Sequence, residues 1–101
     1  MAKRAHTYRV TVEHVASAWI GEPPNPVPLV FDARNHDDIL QIVERARRVT
    51  SLGSDEAAAM AVGLKLLSEV ALAHRSEDLF SDLSGALGAF IGKLKARPQA
   101  A

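Results

Sequence analysis

The stretch SDEAAAMAVGLKLLSEVALAHR, residues 54–75, decides the fold because it predicts one long helix at the centre of the core. Ser54 is the expected N-cap, followed by two acidic residues and four alanines, which favour a helix start. At about 100° per residue one apolar face is formed by Ala57, Met60, Ala61, Leu64, Leu67, Ala71 and His74. Lys65 and Glu69 mark a narrow polar stripe, so we expect neighbours on more than one side.

Upstream, two segments alternate with the period of half-buried strands. The first covers residues 8–14 and the second residues 29–34. The side chains expected to face inward are Tyr8, Val10 and Val12 in the first strand and Leu29, Phe31 and Ala33 in the second. We therefore predict an antiparallel pair with one face against helices. Such a pair is marginal by itself, so either the helices cover it fully or an exposed strand edge meets another copy.

Two further helices flank the central one. Asn35 is the expected N-cap of the first, with Asp38 in the capping-box position three residues later. The segment Ser76-Glu77-Asp78 repeats this cap chemistry and begins the last helix with almost no loop, and Pro98 ends that helix. Residues 98–101 are predicted to be a frayed tail. The fold prediction is a single compact α+β domain over residues 1–97, a two-stranded antiparallel pair followed by three helices in the order ββααα.

The connection over residues 15–28 contains Gly21 and four prolines, which favours an extended loop. It is long for a compact domain and is therefore mobile or functional. The single tryptophan, Trp19, lies here beside Ile20. This pair either folds back as a lid on the core or forms an exposed anchor for a partner.

Composition excludes several classes of function. The chain has 101 residues, 48% of them hydrophobic, with 12 basic and 12 acidic side chains, so no overall charge directs it to nucleic acid or membrane. The absence of cysteine excludes disulfides, thiolate metal sites and cysteine nucleophiles. The N-terminus lacks the apolar region of a signal peptide, and no apolar run reaches about 18 residues. We predict a cytoplasmic protein.

The histidines are the residues to weigh for catalysis or metal binding. His36, with Asp37 and Asp38, is rich in donor atoms, but adjacent residues on a helix do not share a face. Capping by the acidic residues is the preferred interpretation. No serine lies in a nucleophile elbow. The sequence therefore predicts no metal, no cofactor and no catalytic residues, and it does not favour an enzyme.

Three glycines in the last helix are candidate contacts between copies. Gly85, Gly88 and Gly92 follow Ser81 at intervals that place them opposite Leu83 and Phe90. Each glycine costs about 1 kcal/mol in an exposed helix relative to alanine, so close approach of another backbone is one explanation. A tolerated weak helix or a local kink is the other.

A basic cluster, Arg45, Arg47 and Arg48, ends the first helix and could contact phosphate. Acidic neighbours dilute it and no aromatic residue lies nearby to stack on a base. A solvated helix end that complements the dipole is the preferred interpretation.

The segments YRVTVEH (8–14), FDARNHDDILQIVERAR (31–47) and DEAAAMAVGLKLLSEVALAHRSEDLFSDL (55–83) together resemble a family of small uncharacterised bacterial proteins of about 100 residues. NHDDI followed by GLKLL is the most specific part. The resemblance implies a bacterial protein whose biochemical role is unassigned, so it identifies no functional residues.

The leading hypothesis is a non-enzymatic interaction or regulatory module that self-associates as a homodimer. An uncovered two-stranded sheet, the glycine face and the lack of a catalytic set motivate it. The rival is a module that binds a small molecule or nucleic acid through Trp19, His36, Arg45 and Arg48.

Overall fold

A computed structural model describes residues 4–98 of the chain. Its elements are β1 (His6–Val12), β2 (Leu29–Asn35), α1 (Ile39–Val49), α2 (Ser54–Ala73) and α3 (Asp78–Ala96). The predicted fold class, a single α+β domain in the order ββααα, is confirmed. Most of the predicted tail, residues 99–101, lies outside the described residues.

The two strands form an antiparallel pair in which Tyr8 lies opposite Ala33 and Val12 opposite Leu29. β1 begins and ends two residues earlier than predicted. The reason lies at His14, whose ring Nδ1 accepts a hydrogen bond from the backbone N–H of Asn25 at 2.7 Å. That bond closes the base of the connection, so residue 14 belongs to the loop.

The start of α1 differs from the prediction that Asn35 is its N-cap. Asp38 is the N-cap, and its Oδ1 accepts from the backbone N–H groups of Leu40 and Gln41. Asn35 is instead the last residue of β2 and is buried. The prediction was wrong because Asn35 and Asp38 are both good N-cap residues, and the buried Asn35 side chain already forms hydrogen bonds with other groups.

The core lies between α1 and α2. Its buried side chains are Ile39, Val43, Ala46 and Val49 from α1 and Ala57, Ala61 and Ala71 from α2. The small alanine side chains let the two helix axes approach closely, while Tyr8 packs on the edge of the cluster. Ser54 is not the N-cap of α2, because Gly53 occupies that position in extended geometry and α2 already includes Ser54.

Helix α3 packs beside α2 but contributes no buried residue in the described chain. Its C-terminus is fixed to that of α1. Nε of Arg97 donates to the carbonyl of Val49 at 2.6 Å, and a terminal nitrogen of Arg45 donates to the carbonyl of Lys95 at 3.0 Å.

The strand pair is exposed on both faces at the end that joins the connection, where Val12, Leu29 and Val30 are each at least half exposed. Gly21 forms the turn there at φ +86°, a conformation that favours glycine. Trp19 is 71% exposed and Ile20 is fully exposed, so the interpretation of this pair as a lid on the core is wrong. The radius of gyration is 16.1 Å, compared with about 13 Å for a compact domain of this length.

Candidate functional site

A groove with a volume of about 420 Å³ lies between the β2–α1 link, α2 and α3. The link supplies His36 and Asp37, α2 supplies Lys65 and Glu69, and α3 closes the far side. It is the place where charged side chains from separate elements meet over apolar ones.

The link that carries His36 and Asp37 is fixed by two polar side chains. Asn35 donates from its amide nitrogen to the carbonyl of Lys65 at 3.0 Å, and its Oδ1 accepts from the backbone N–H of Asp37 at 3.0 Å. The Tyr8 hydroxyl accepts from the N–H of Ile39 and donates to the carbonyl of Asp37. These bonds satisfy backbone groups that no strand or helix pairs, and they hold the link in one conformation.

Lys65 and Asp37 form an ion pair at one end of the groove. Nζ of Lys65 lies 2.6 Å from Oδ2 of Asp37, and the lysine side chain is only 15% exposed. The hydrogen bond from Lys65 is the main reason why the pKa of Asp37 lies below its ordinary value, and burial opposes the shift. Asp37 is therefore an anion at neutral pH, and it compensates the half-buried ammonium group.

His36 and Glu69 form the second polar pair. Oε1 of Glu69 accepts from the backbone N–H of His36 at 3.2 Å and lies 2.7 Å from Nδ1 of the same residue. Because a carboxylate only accepts, Nδ1 carries the hydrogen. Nε2 of the ring and the other oxygen of Glu69 are then available for further hydrogen bonds.

The floor of the groove is apolar with one unusual hydroxyl. Its apolar lining consists of Ala71 and Leu72 from α2 and Leu87, Gly88 and Ile91 from α3. The Oγ atom of Ser68, also in the lining, is buried and has no hydrogen-bond partner among the described residues. A buried polar atom without a partner is uncommon in a folded protein.

The groove offers hydrogen bonds and an apolar surface, which suit binding. Within residues 4–98 no three histidine, aspartate or glutamate side chains come close enough to hold a metal ion. This observation does not test whether the protein binds a metal or a cofactor, so their absence stays a prediction from the sequence.

The structure separates the residues that the sequence suggested as contacts. His36 and Gly88 line the groove, whereas Trp19 lies in the connection. Arg45 is engaged with the end of α3, and Arg48 is exposed on α1. At Gly85, Gly88 and Gly92 a Cβ atom would meet none of the described atoms within 4 Å, so the whole glycine face is open.

A second unusual surface lies at the free end of the strand pair. We call it the distal patch and define it as Val12, Val15, Val27, Leu29 and Phe31, all of which are exposed. Val12 and Leu29 lie opposite each other in the last pair of the ladder. Val15 and Val27 follow within three residues on the two sides of the connection.

Sequence reasoning missed Lys65 and Glu69, which it assigned to a solvent-exposed stripe of α2. Both are half-buried and reach the β2–α1 link. One signal was available. Within one helix, a lysine followed four residues later by a glutamate forms a weaker pair than the reverse order. This order indicates that both side chains have partners outside the helix.

Among the described residues, no helix is long and apolar enough to cross a membrane. The fold and the groove together define a small α+β domain with one polar groove between its helices and the β2–α1 link.

A family model for a domain of unknown function, DUF3861, matches residues 6–96. The chain belongs to this family, which confirms the resemblance to small uncharacterised proteins. A crystal structure of a protein of unknown function from Pectobacterium atrosepticum is similar, with a TM-score of 0.78 and 29% identity, over 93% of this chain and 100% of that one. Its bacterial source agrees with the sequence analysis. The comparison with curated proteins gives no match.

Proposed function

We propose that this domain is a non-enzymatic interaction module that acts as a homodimer in the cytoplasm. The observation that carries the proposal is the incomplete cover of its strand pair. Leu29 is 59% exposed, although it lies on the inner face of the strand pair, which the helices cover further along the strand. Contiguous exposed apolar surface in a domain marks a site of interaction.

The open edges of the strand pair support the same proposal. In the described chain β1 and β2 pair only with each other, so the outer edge of each strand leaves backbone donors and acceptors free. Such edges pair with other chains unless something blocks them. A second copy related by a two-fold axis offers the same edge in the opposite direction.

The open glycine face of α3 is another route to a dimer. A helix that lacks side chains at Gly85, Gly88 and Gly92 can approach a second helix closely. Because a Cβ atom at Gly92 would meet no described atom of another element within 4 Å, we expect Gly92→Leu to leave the fold of the single chain intact. A dimer lost in this variant therefore reports on contact between chains.

The test is sedimentation equilibrium of the wild-type chain at micromolar concentration. We expect a mass of twice the 10.9 kDa of one chain. A Gly92→Leu variant that remains dimeric excludes the helix route and leaves the strand pair. A wild-type monomer across this range contradicts the proposal.

A second candidate function is the binding of a small molecule in the groove. The two polar pairs beside an apolar lining favour it, because a groove of this kind with a few convergent polar groups suits a small ligand. The suitable ligand is largely apolar with one polar end. A fragment screen by NMR tests this, and we expect shifts at Ser68 and Leu87 for bound fragments and none in a Gly88→Phe variant, whose ring occupies the groove. Shifts that persist in this variant place the binding elsewhere.

A further inference from the structure

We infer that the distal patch is the dimer contact and that it packs against the same patch of a second copy. This inference rests on the proposed homodimer and names its surface. It differs from the strand edges and from the glycine face, because the contact is made by the inner face of the sheet.

The exposure of the inner face increases steadily away from the helices. At the helical end, Tyr8 and Ala33 are half-buried, and the Tyr8 hydroxyl is bound to the β2–α1 link. In the middle Phe31 is 39% exposed, and at the free end Val12 and Leu29 are 54% and 59% exposed. The apolar face of the sheet thus continues past the layer of helices that covers its first part.

The free end lies beyond the half-buried part of the inner face, which on β1 extends to Val10. Val12 lies two residues further along β1, a distance of about 7 Å. A two-stranded pair is marginal by itself in water. When two such ends pack face to face, each one buries the apolar face of the other and stabilises it.

The available area reaches that of a small specific interface. The distal patch has five exposed apolar side chains. At roughly 100 Å² each they offer on the order of 500 Å² per chain. Two such patches together reach the roughly 1,000 Å² of total area that a specific interface should bury, so a second copy provides a match in size.

The charges favour a second copy over an anionic membrane. Residues 10–33 contain Glu13, Glu22 and Asp32 but no lysine or arginine, whereas attraction to anionic lipids requires basic residues. Within this range, the inner face of the strand pair carries no charged side chain. Asp32 points to the opposite face, where its Oδ1 pairs with Nε of Arg9 at 3.0 Å. Two inner faces therefore meet without like charges between them.

Two neighbouring residues of β2 provide a matched test. Leu29 faces inward, and Val30 faces the other side of the sheet with a similar exposure of 50%. We expect Leu29→Arg to weaken the dimer at least 100-fold in sedimentation and Val30→Arg to leave it intact. Val12→Lys, opposite Leu29 on the inner face, should repeat the first result, and thermal unfolding by circular dichroism checks that each variant folds.

The outcomes separate this inference from the proposed function. A wild-type dimer that survives both Leu29→Arg and Val12→Lys overturns the distal patch and leaves the homodimer standing. A dimer that Leu29→Arg and Val30→Arg disrupt equally overturns the assignment to the inner face. A wild-type monomer at micromolar concentration overturns the proposed function, and this inference with it.

Discussion

Nε of Arg97 donates a hydrogen bond to the carbonyl oxygen of Val49 at 2.6 Å, and this bond joins the ends of two helices. Arg45 of α1 donates in return to the carbonyl of Lys95 in the last turn of α3. Each helix thus supplies a guanidinium group to the C-terminal carbonyls of the other. Carbonyls at a helix end lack partners within the helix and carry the negative end of its dipole, so both contacts are favourable.

We expect Arg97→Ala to lower the free energy of unfolding by about 1 kcal/mol, as measured by urea denaturation. The contact is charge-assisted, but Arg97 is exposed, which reduces its contribution. Arg75→Ala is the matched control, because Arg75 is exposed and makes no side-chain hydrogen bond within residues 4–98. Equal losses in the two variants would show that the contact with Val49 contributes nothing.

The pair of Lys65 and Asp37 should make stability depend on acid pH. The pKa of Asp37 is lowered in the folded state, chiefly by its hydrogen bond with Lys65, so the unfolded chain binds its proton more readily. Its contribution is therefore present above about pH 4, the ordinary range of the carboxyl pKa, and is lost as the pH falls through the folded value.

A double-mutant cycle with Asp37→Asn and Lys65→Met measures this coupling. We expect about 1 kcal/mol at pH 7, because Lys65 is largely covered while Asp37 is 55% exposed and screened by water. The coupling should decrease as the pH falls below about 4, the ordinary range of the carboxyl pKa. A coupling energy that does not change as the pH is lowered would contradict an ionic contact.

The assignment of the helix cap predicts different costs for two neighbouring polar residues. Asp38→Ala should cost about 1 kcal/mol, since it removes the cap of α1. Asn35→Ala should cost about 2–3 kcal/mol, because Asn35 is 2% exposed and its loss leaves the N–H of Asp37 and the carbonyl of Lys65 without partners. Thermal unfolding at pH 7 measures both, and the reverse order would restore Asn35 as the cap.

The glycines of α3 and the glycine of the connection should respond in opposite directions to alanine. Gly85→Ala and Gly92→Ala should each raise the free energy of unfolding by up to about 1 kcal/mol, since the sites are open and alanine favours a helix. Gly21→Ala should lower it by about 1 kcal/mol, because φ is +86° there. Urea denaturation at low protein concentration separates these effects from association, and destabilisation at Gly92 would indicate a close neighbour.

The order and type of the elements followed from the sequence because local patterns were strong. The alternation around Tyr8 and the apolar length of α2 each left one interpretation, and both elements are present. Local patterns did not decide between Asn35 and Asp38, since either residue caps a helix well. The choice was made by the tertiary contact between Asn35 and Lys65, thirty residues away.

The groove could not be predicted for a related reason. A helix pattern shows which residues share a face, but it does not show which neighbour that face meets. Lys65 and Glu69 were correctly placed on one side of α2, yet that side meets the β2–α1 link, which converts a solvent-exposed stripe into one ion pair and one hydrogen-bonded pair. The distal patch was hidden by the assumption that helices cover the inner face along its whole length, including Leu29.

Helix α3 is 19 residues long, but each of its side chains is at least partly exposed. We therefore expect α3 to unfold before α1 and α2. Regions with few buried apolar contacts open locally at a lower free energy than the core. We expect amide hydrogens of α3 to exchange with deuterium through such local openings, whereas those of α1 and α2 exchange only through global unfolding. The C-terminal helix is then a separate cooperative unit that detaches and reattaches while the rest of the domain stays native.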